Sequence, residues 1–570
     1  MLQESKLKTL LDFLSTLTPE ETIWVSGYLS GMLSNGKALP QQATAAEQVK
    51  PVTNKLTITY GTETGNSKKL ASEFASKAKK KGINAKVVSM DQYRLNDLPK
   101  EEYFLSIVST HGEGEPPAAA KKFYDHIHSN GFKLDKLKYG VLALGDTSYP
   151  QFCTAGEDVD KQLEKLGGKR IIPLQKCDVD YESDADGWFN QVLDKLSSSA
   201  PATNGQAVAA PTTSKKSTGK KIYHGTILTN VNLNDRGSNK ETHHIEISAD
   251  DVEYLPGDSL GVIPENPLRI VEPIVELLNI DRQKTFTFRS EEVTAFDLLK
   301  KKLNIFYLPE RVVTKYAALV EQDIPATKIA LLDLLKIYPL KDNSQFDELI
   351  EILEPIAPRL YSISSSPEAH SGEVHITVAR DKFHVNDEWK CGLCSDFLSQ
   401  LSVDSEVEFY IHKNNLFRLP EDYKDLIMIG PGTGIAPFRS FLAHRDATGA
   451  TGRNWLFFGE QHFVTDFLYQ AELQNWKETG TLTKINVAFS RDQKEKVYVQ
   501  HKMLKHGEEL YDWINNGASI YVCGAKEPMS VDVEDTLMQI IEKFGNKTIE
   551  EAVQFVEQLK EEDRYLKDVY

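Results

Sequence analysis

Residues 197–219 consist mostly of Ser, Ala, Pro, Thr and Lys, with almost no large apolar side chain. Such a stretch buries too little surface to repay the entropy of ordering it, so it reads as a flexible tether. It therefore forbids one continuous core through the 570-residue chain. One body must be complete before it, another must form after it, and the two are expected to move relative to each other. Length sets the number of domains at about three or four.

Before the tether, residues 54–196 alternate strand and helix. Strands are predicted at Leu56–Tyr60, Ala85–Ser89, Tyr103–Ser109, Lys138–Leu144 and Lys169–Leu174. Helices are predicted at Asn66–Lys81, Ala118–Ser129, Gly156–Leu166 and Gly187–Leu196. This alternation predicts a parallel, doubly wound sheet. After the tether, residues 220–265 and 359–421 carry short alternating runs such as Glu373-Val-His-Ile-Thr-Val378, which predict an antiparallel barrel. Between them, roughly 266–355, lies a helix-rich insert, so the barrel region spans 220–422. Alternation resumes over 423–570 and predicts a second parallel sheet. The chain is thus expected to be a multidomain α/β protein. Residues 1–53 read as a helical segment and linker. There Thr18-Pro-Glu-Glu21 forms a capping box, and the helix that follows suits docking on this chain or a partner.

Open parallel sheets put their chemistry beyond the carboxyl ends of the strands. Three loops of the first sheet fall there. Thr62, Glu63, Thr64, Gly65, Asn66 and Ser67 lead into a helix and suit a terminal phosphate held by hydroxyls and backbone N–H groups. The second loop begins Ser109, Thr110, His111, Gly112 and runs to Pro116. The third holds Leu144, Gly145, Asp146, Thr147, Ser148, Tyr149, Pro150, Gln151, Phe152 and Cys153. Its glycine allows backbone contact with a flat ring, and Tyr149 can stack on one. Each loop alone could be an ordinary turn; three on one sheet edge favour a ligand. In the last region, Ile429-Gly-Pro-Gly-Thr-Gly-Ile-Ala-Pro-Phe-Arg439 joins an apolar strand to a helix, with Gly432 and Thr433 at its centre. It departs from G-x-G-x-x-G and by itself could be a tight glycine turn.

Composition narrows the partners. A net charge of −17 disfavours nucleic acid. No run of about 18 apolar residues predicts a membrane span, and no secretory signal is evident, so a cytoplasmic protein is expected. Five cysteines in a chain this long are no disulfide framework. Cys391-x-x-Cys394 could be a redox pair, half a zinc site, or loop packing. No second CxxC or nearby His pair completes a metal site, and His243-His244 should point to opposite faces of a strand, so no metal is expected.

The motifs together resemble a known family. Residues 54–196 are similar to a flavodoxin-type FMN domain. Arg359, Leu360, Tyr361 and Ser362, with Ser365 after them, resemble the FAD-binding strand of the ferredoxin–NADP reductase family. Cys391-Gly-Leu-Cys-Ser395 stands where that family has its FAD pyrophosphate loop. The whole resembles a diflavin reductase. Within that family, Asn454–Gly459, Ser490–Gln500 and Arg564–Tyr570 are similar to the branch serving sulfite reductases. His111 replaces the ring-stacking Tyr of many diflavin reductases, Phe383 lacks a Tyr hydroxyl, and Cys394 replaces a small residue.

The resemblance implies FMN, FAD and NADPH as cofactors. It implies FAD contacts at Arg359–Ser362, at Thr377, Val378, Ala379 and Phe383, and at Gly392, Leu393, Cys394 and Ser395. NADPH positions are Gly432, Thr433, Ser490, Arg491, Lys496, Val497, Tyr498, Val499, Gln500 and Asp532. Ser490 and Arg491, with Lys496 and Tyr498, would clamp the 2′-phosphate. Ser362, Cys523 and Asp568 match residues near hydride transfer, and Tyr570 would cover the FAD ring. Electrons would leave from FMN to a separate sirohaem and iron–sulfur subunit that makes sulfide from sulfite for cysteine synthesis, in a hetero-oligomer. The alternatives are a reductase for another haem protein or small acceptors, and a non-catalytic electron-carrier module. Residues 54–196 have as many acidic as basic side chains, but Glu113, Glu115, Asp146, Asp178, Asp180, Glu182, Asp184 and Asp186 are expected in loops on the FMN edge. They read as a docking patch for a basic partner or as a solvated loop face.

Overall fold

A near-continuous apolar run is what a strand covered on both faces requires, and the first sheet is built from such runs. The computed structural model of the protein describes residues 55–197 and 221–570, except Glu113, Asn130, Ser148, Ser290, Ala326, Asn343, Asn386 and Asp387. The segment expected over 1–53 and nearly all of the tether lie outside the described residues. The strands are β1 (Lys55–Gly61), β2 (Asn84–Ser89), β3 (Tyr103–Ser109), β4 (Lys138–Leu144), β5 (Lys169–Arg170) and β6 (Gln175–Cys177). They run parallel in the order β2-β1-β3-β4-β5, with β6 also on β4. This is the flavodoxin-like order.

Four helices cover the faces: α1 (Asn66–Lys80), α2 (Ala118–His128), α3 (Thr154–Lys165) and α4 (Glu182–Ser197). On one face, Phe74 of α1 stacks on Phe189 of α4 with ring centroids 4.0 Å apart. On the other, Phe123 of α2 packs on Phe104 at 5.9 Å. Two expectations are corrected here. The strand predicted at 169–174 is reduced to Lys169–Arg170, and pairing resumes only at Gln175–Cys177, beyond Pro173, which has no N–H for a ladder. The last helix begins at Glu182 rather than Gly187, so Glu182, Asp184 and Asp186 sit on its first turns and not in a loop.

The second sheet is antiparallel and six-stranded. It comprises β7 (Tyr223–Asn232), β8 (Thr242–Ala249), β9 (Ser259–Val262), β12 (Arg359–Ser362), β13 (Glu373–Ala379) and β16 (Glu406–His412). Their order is β12-β9-β16-β7-β8-β13. The expected barrel is not closed by a full ladder; the edges meet in a single bridge, Ile363 to Ile376. Two hairpins stand outside it, β10 (Thr285–Phe288) with β11 (Glu291–Thr294), and β14 (Lys382–Val385) with β15 (Glu388–Cys391). The insert is helical as expected, with its own apolar core around Leu298, Tyr316 and Leu334.

The third sheet is parallel: β17 (Leu426–Ile429), β18 (Asn454–Glu460), β19 (Lys484–Phe489), β20 (Ser519–Gly524) and β21 (Tyr565–Val569). Its order is β19-β18-β17-β20-β21, so the chain reverses direction of winding between β17 and β20. The Gly430–Gly434 loop stands at that switch point, followed by the helix Ala436–Thr448 with Pro437 in its first turn.

The first sheet's loop edge abuts the second region. Tyr149 Oη donates to Pro358 O at 3.1 Å, Asn415 N to Thr64 O at 3.1 Å, and Asn415 Nδ2 to Asn66 Oδ1 at 2.7 Å. Lys68 pairs with Asp563 of the third region at 2.8 Å.

Candidate active site

The phosphate-type loop after β1 folds on its own hydroxyls. Gly65 takes φ +83°, which only glycine adopts without strain, and its N–H donates to Thr62 Oγ1 at 2.9 Å. Ser67 is fully buried at the start of α1, and its hydroxyl has no partner among the described residues. A buried orphan hydroxyl at a helix N-terminus fits an anion such as a phosphate oxygen. Glu63 is engaged elsewhere: its carboxylate accepts from Ala118 N at 2.9 Å and caps α2.

The other two loops of this edge are braced from below. Ser109 Oγ donates to Gly61 O at 3.4 Å, and Thr110 Oγ1 accepts from Ala155 N at 3.3 Å. His111 and Gly112 are exposed in a tight turn closed on Glu115. The Asp178 carboxylate accepts from Thr147 N at 3.0 Å and Thr147 Oγ1 at 2.5 Å. Asp178 is thus a loop brace rather than a free docking charge. Asp186 pairs with Lys77 at 2.5 Å, which further thins the expected acidic patch; Glu113 lies outside the described residues. Cys153 is fully buried, its thiol pushed up to about 12 by burial, and it faces Ala143 O at 3.4 Å. The Cys153 side chain therefore supports the loop from below and leaves its backbone to face a ligand. Lys176 Nζ lies 5.4 Å from the centre of the Phe152 ring.

The sharpest convergence lies between the second and third sheets. Ser362 at the end of β12 donates to Asp568 Oδ2 on β21 at 2.7 Å. Cys523 on β20 is the register partner of Asp568, and its Sγ stands 3.9 Å from the same oxygen. Burial raises the Asp568 carboxyl above its ordinary value, with the Ser362 hydrogen bond opposing. Burial, then the neighbouring Asp568, pushes the Cys523 thiol well up. Cys523 is therefore a neutral thiol here and not a nucleophile. Tyr570 is 56 % exposed, and its hydroxyl meets Thr433 Oγ1 at 2.5 Å, so it spans the cleft from β21 to the glycine loop. Gly434 packs directly under Cys523: a Cβ there would lie 2.1 Å from Cys523 O.

Further along the third sheet, Ser490 N donates to Glu460 O and Arg491 N to Gln461 O, both at 2.9 Å. The side chains of Arg491, Lys496 and Tyr498 are exposed, as a clamp for a solvent-facing phosphate requires. Tyr498 N donates to His501 Nδ1 at 2.9 Å, capping the helix Val499–Lys505. Gln500 Nε2 donates to Asp532 Oδ2 at 3.1 Å. Val499 is a core residue and presents no side chain to a ligand; Val497 is half-buried.

Residues 58–188 match the flavodoxin family, 300–397 an FAD-binding domain and 428–535 an oxidoreductase NAD-binding domain. The sulfite reductase (NADPH) flavoprotein alpha-component of Bacillus subtilis (strain 168) is 41% identical over 98% of this chain and 96% of its own. Its counterparts are 37% identical in Shewanella sp. (strain ANA-3), over 100% of this chain and 98% of theirs, and 36% in Salmonella typhimurium, over 97% and 96%. The chain belongs to the sulfite reductase flavoprotein alpha-component family.

In this alpha-component-type flavoprotein the FAD positions divide. Arg359 and Leu360 are exposed on β12, and Tyr361 is hydrogen-bonded to the Cys394 thiol. Burial pushes that thiol up to about 12. Cys391 and Cys394 are both free thiols, Cys394 buried and Cys391 half-buried. Ser395 Oγ accepts from Asp381 N at 3.1 Å and donates to Gly392 O at 3.2 Å, closing the loop before the helix Leu393–Ser399. Ala379 and Phe383 are half-buried. Thr377 and Val378 point inward: Thr377 Oγ1 meets Tyr469 Oη at 2.6 Å, and Val378 is in the core. These two can offer a cofactor only backbone atoms.

Sequence reasoning missed a polar core where the second and third regions of this flavoprotein meet. His243 and His244 do point apart, but His244 joins Glu246 and His375, with ligand-type atoms within 4.8 Å of one another. A metal is opposed there by Arg439, whose Nη1 donates to His375 Nδ1 at 3.1 Å. Arg439 is in turn held by Glu472 at 2.6 and 2.9 Å and donates to Ser364 O at 2.9 Å. No local pattern marks these residues, which come from distant segments.

Proposed function

We propose that this chain takes electron pairs from NADPH and passes them through FAD and FMN to a separate haem and iron–sulfur subunit that reduces sulfite to sulfide. The observation that carries the reading is the meeting of Ser362, Cys523, Asp568 and Tyr570 beside the Gly430–Gly434 loop. The relatives' printed names support the substrate, and the alpha-component designation supports a partner subunit in a hetero-oligomer. When bound, the nicotinamide and two flavins supply the redox chemistry, converting a two-electron donor into single-electron steps.

The chain's own residues bind, orient and shield. Ser67, with the Thr62–Asn66 backbone, would hold the FMN phosphate; the orphaned hydroxyl suits that role. Tyr149 would be the stacking residue for the FMN ring, and its hydroxyl on Pro358 O holds the tyrosine beside the strand Arg359–Ser362. Arg359 would pair with the FAD pyrophosphate. Arg491 and Lys496 supply charge for the 2′-phosphate, which NADH lacks. The Ser362–Asp568 hydrogen bond fixes a hydroxyl at the nicotinamide face, and the neutral Cys523 thiol beside it avoids a second negative charge. Tyr570, held on Thr433, would cover the cleft and have to move aside for nicotinamide to enter. No helix among the described residues is long and apolar enough to cross a membrane.

Anaerobic NADPH should bleach a spectrum containing both flavins, and the bleached protein should then reduce an added haem and iron–sulfur subunit. Bleaching without transfer to that subunit would move the assignment to another acceptor. No bleaching of the flavin-loaded chain would overturn it.

A further inference from the structure

One buried ion pair near the nicotinamide cleft has no part in the scheme above. Glu460 ends β18 with its side chain 2 % exposed, and Lys240, from the turn between β7 and β8, pairs with its Oε1. The other carboxylate oxygen accepts from Gln461 N at 2.8 Å. Oε1 lies 3.6 Å from the position of a Cβ on Gly432, so the acid lies against the glycine loop. On its other side, the Glu460 carbonyl holds Ser490 N at 2.9 Å.

The sheet order puts this acid under the ligand's path. Cys523 and Asp568 lie on β20 and β21, Ser490 and Arg491 follow β19, and the order is β19-β18-β17-β20-β21. A dinucleotide reaching from one end to the other must cross the carboxyl ends of β17 and β18. Its pyrophosphate, with two negative charges, therefore passes over Glu460. A carboxylate repels such a group unless a cation is shared between them, and the cation in place is already committed to Glu460.

We propose that Glu460 is an affinity-limiting residue of the nicotinamide site. It competes with the dinucleotide pyrophosphate for Lys240, and so keeps binding weak enough for fast release of the spent nucleotide. The inference rests on the nicotinamide reading above. Because the pyrophosphate is common to NADPH, NADP and NADH, Glu460 acts equally on all three and leaves the choice between them to Arg491.

The test uses the full flavin-loaded chain and calorimetric titration. Glu460→Gln keeps the oxygen for Gln461 N and removes the charge. It should tighten NADP and NADH alike by about tenfold, and slow NADP release in stopped flow by a similar factor. 2′-AMP, which has no pyrophosphate, should bind as to the parent. Lys240→Ala should weaken both dinucleotides, and adding Glu460→Gln to it should restore most of the loss. Unchanged or weaker dinucleotide binding by Glu460→Gln, with the flavin spectrum and melting temperature intact, would overturn the proposal. So would a tightening that 2′-AMP shares. Arg491→Ala separates the two readings: if it weakens NADP and spares NADH while Glu460→Gln does nothing, only the Glu460 inference fails. If it affects neither, the nicotinamide site itself is misassigned.

Discussion

Acidification from pH 7 to pH 5 should destabilise the fold through His375, and the structure sets the size. His375 is 2 % exposed. Its Nε2 is 2.8 Å from Glu373 Oε2, and its Nδ1 accepts from Arg439 at 3.1 Å. His370 and His244 stand edge-on with ring centroids 4.5 and 5.3 Å away. Burial, and then the Arg439 guanidinium, pulls His375 down to about 2. The folded protein thus keeps it neutral while the unfolded chain protonates it near pH 6.5. Stability from this group is complete above that pH and is lost as pH falls from 6.5 toward 2. The loss is about 1.4 kcal/mol per pH unit, or about 2 kcal/mol at pH 5. His244, His370 and His444 are lowered by burial as well and add to the same slope. Urea unfolding at pH 7, 6 and 5, followed by tryptophan fluorescence, measures the slope. His375→Asn is expected to be less stable at pH 7 but to lose up to about 2 kcal/mol less on going to pH 5. Equal slopes for parent and variant would refute the reasoning.

Arg491→Ala should weaken NADPH by about 1.5–3 kcal/mol, the scale of a charge-assisted hydrogen bond, and leave NADH nearly unchanged in steady-state kinetics; equal losses for both would rule out the clamp. Tyr570→Ala should tighten nicotinamide binding and slow turnover at product release, more in relative terms for NADH, and stopped-flow rates matching the parent would show that the ring is no lid. Gly434→Ala drives a methyl to 2.1 Å from Cys523 O, where both contact groups are backbone. It should cost about 1–3 kcal/mol in thermal unfolding and sharply slow NADPH-driven flavin reduction, while dithionite still reduces both flavins. A normal NADPH rate would mean the loop has room that the packing denies.

Much of this architecture is written in local pattern. Leu105, Ile107, Leu142 and Leu144 belong to apolar runs that only a doubly covered strand tolerates, and the hydroxyl and glycine loops follow those strands directly. The reading failed where local and tertiary signals differ. Glu182 to Asp186 look like a polar loop, yet acids favour a helix N-terminus, and Tyr181 and Ala185, four residues apart, both bury. The cluster of His244, His375, Arg439 and Glu472 has no spacing at all, because four separate segments supply it. Tyr570 and Thr433 were each legible as site residues, but their mutual contact exists only once β21 lies beside β20.

The contacts of Tyr149 with Pro358, and of Asn415 with Thr64 and Asn66, have a consequence for traffic. The edge of the first sheet that would take charge from within the chain is the edge an outside acceptor would need. A single port cannot serve two neighbours together. Loading and delivery must alternate, and a stronger grip between the halves would hasten the first at the expense of the second. The fastest protein of this kind is therefore one whose halves hold each other only moderately, and Lys68 with Asp563 is one place where that grip can be tuned.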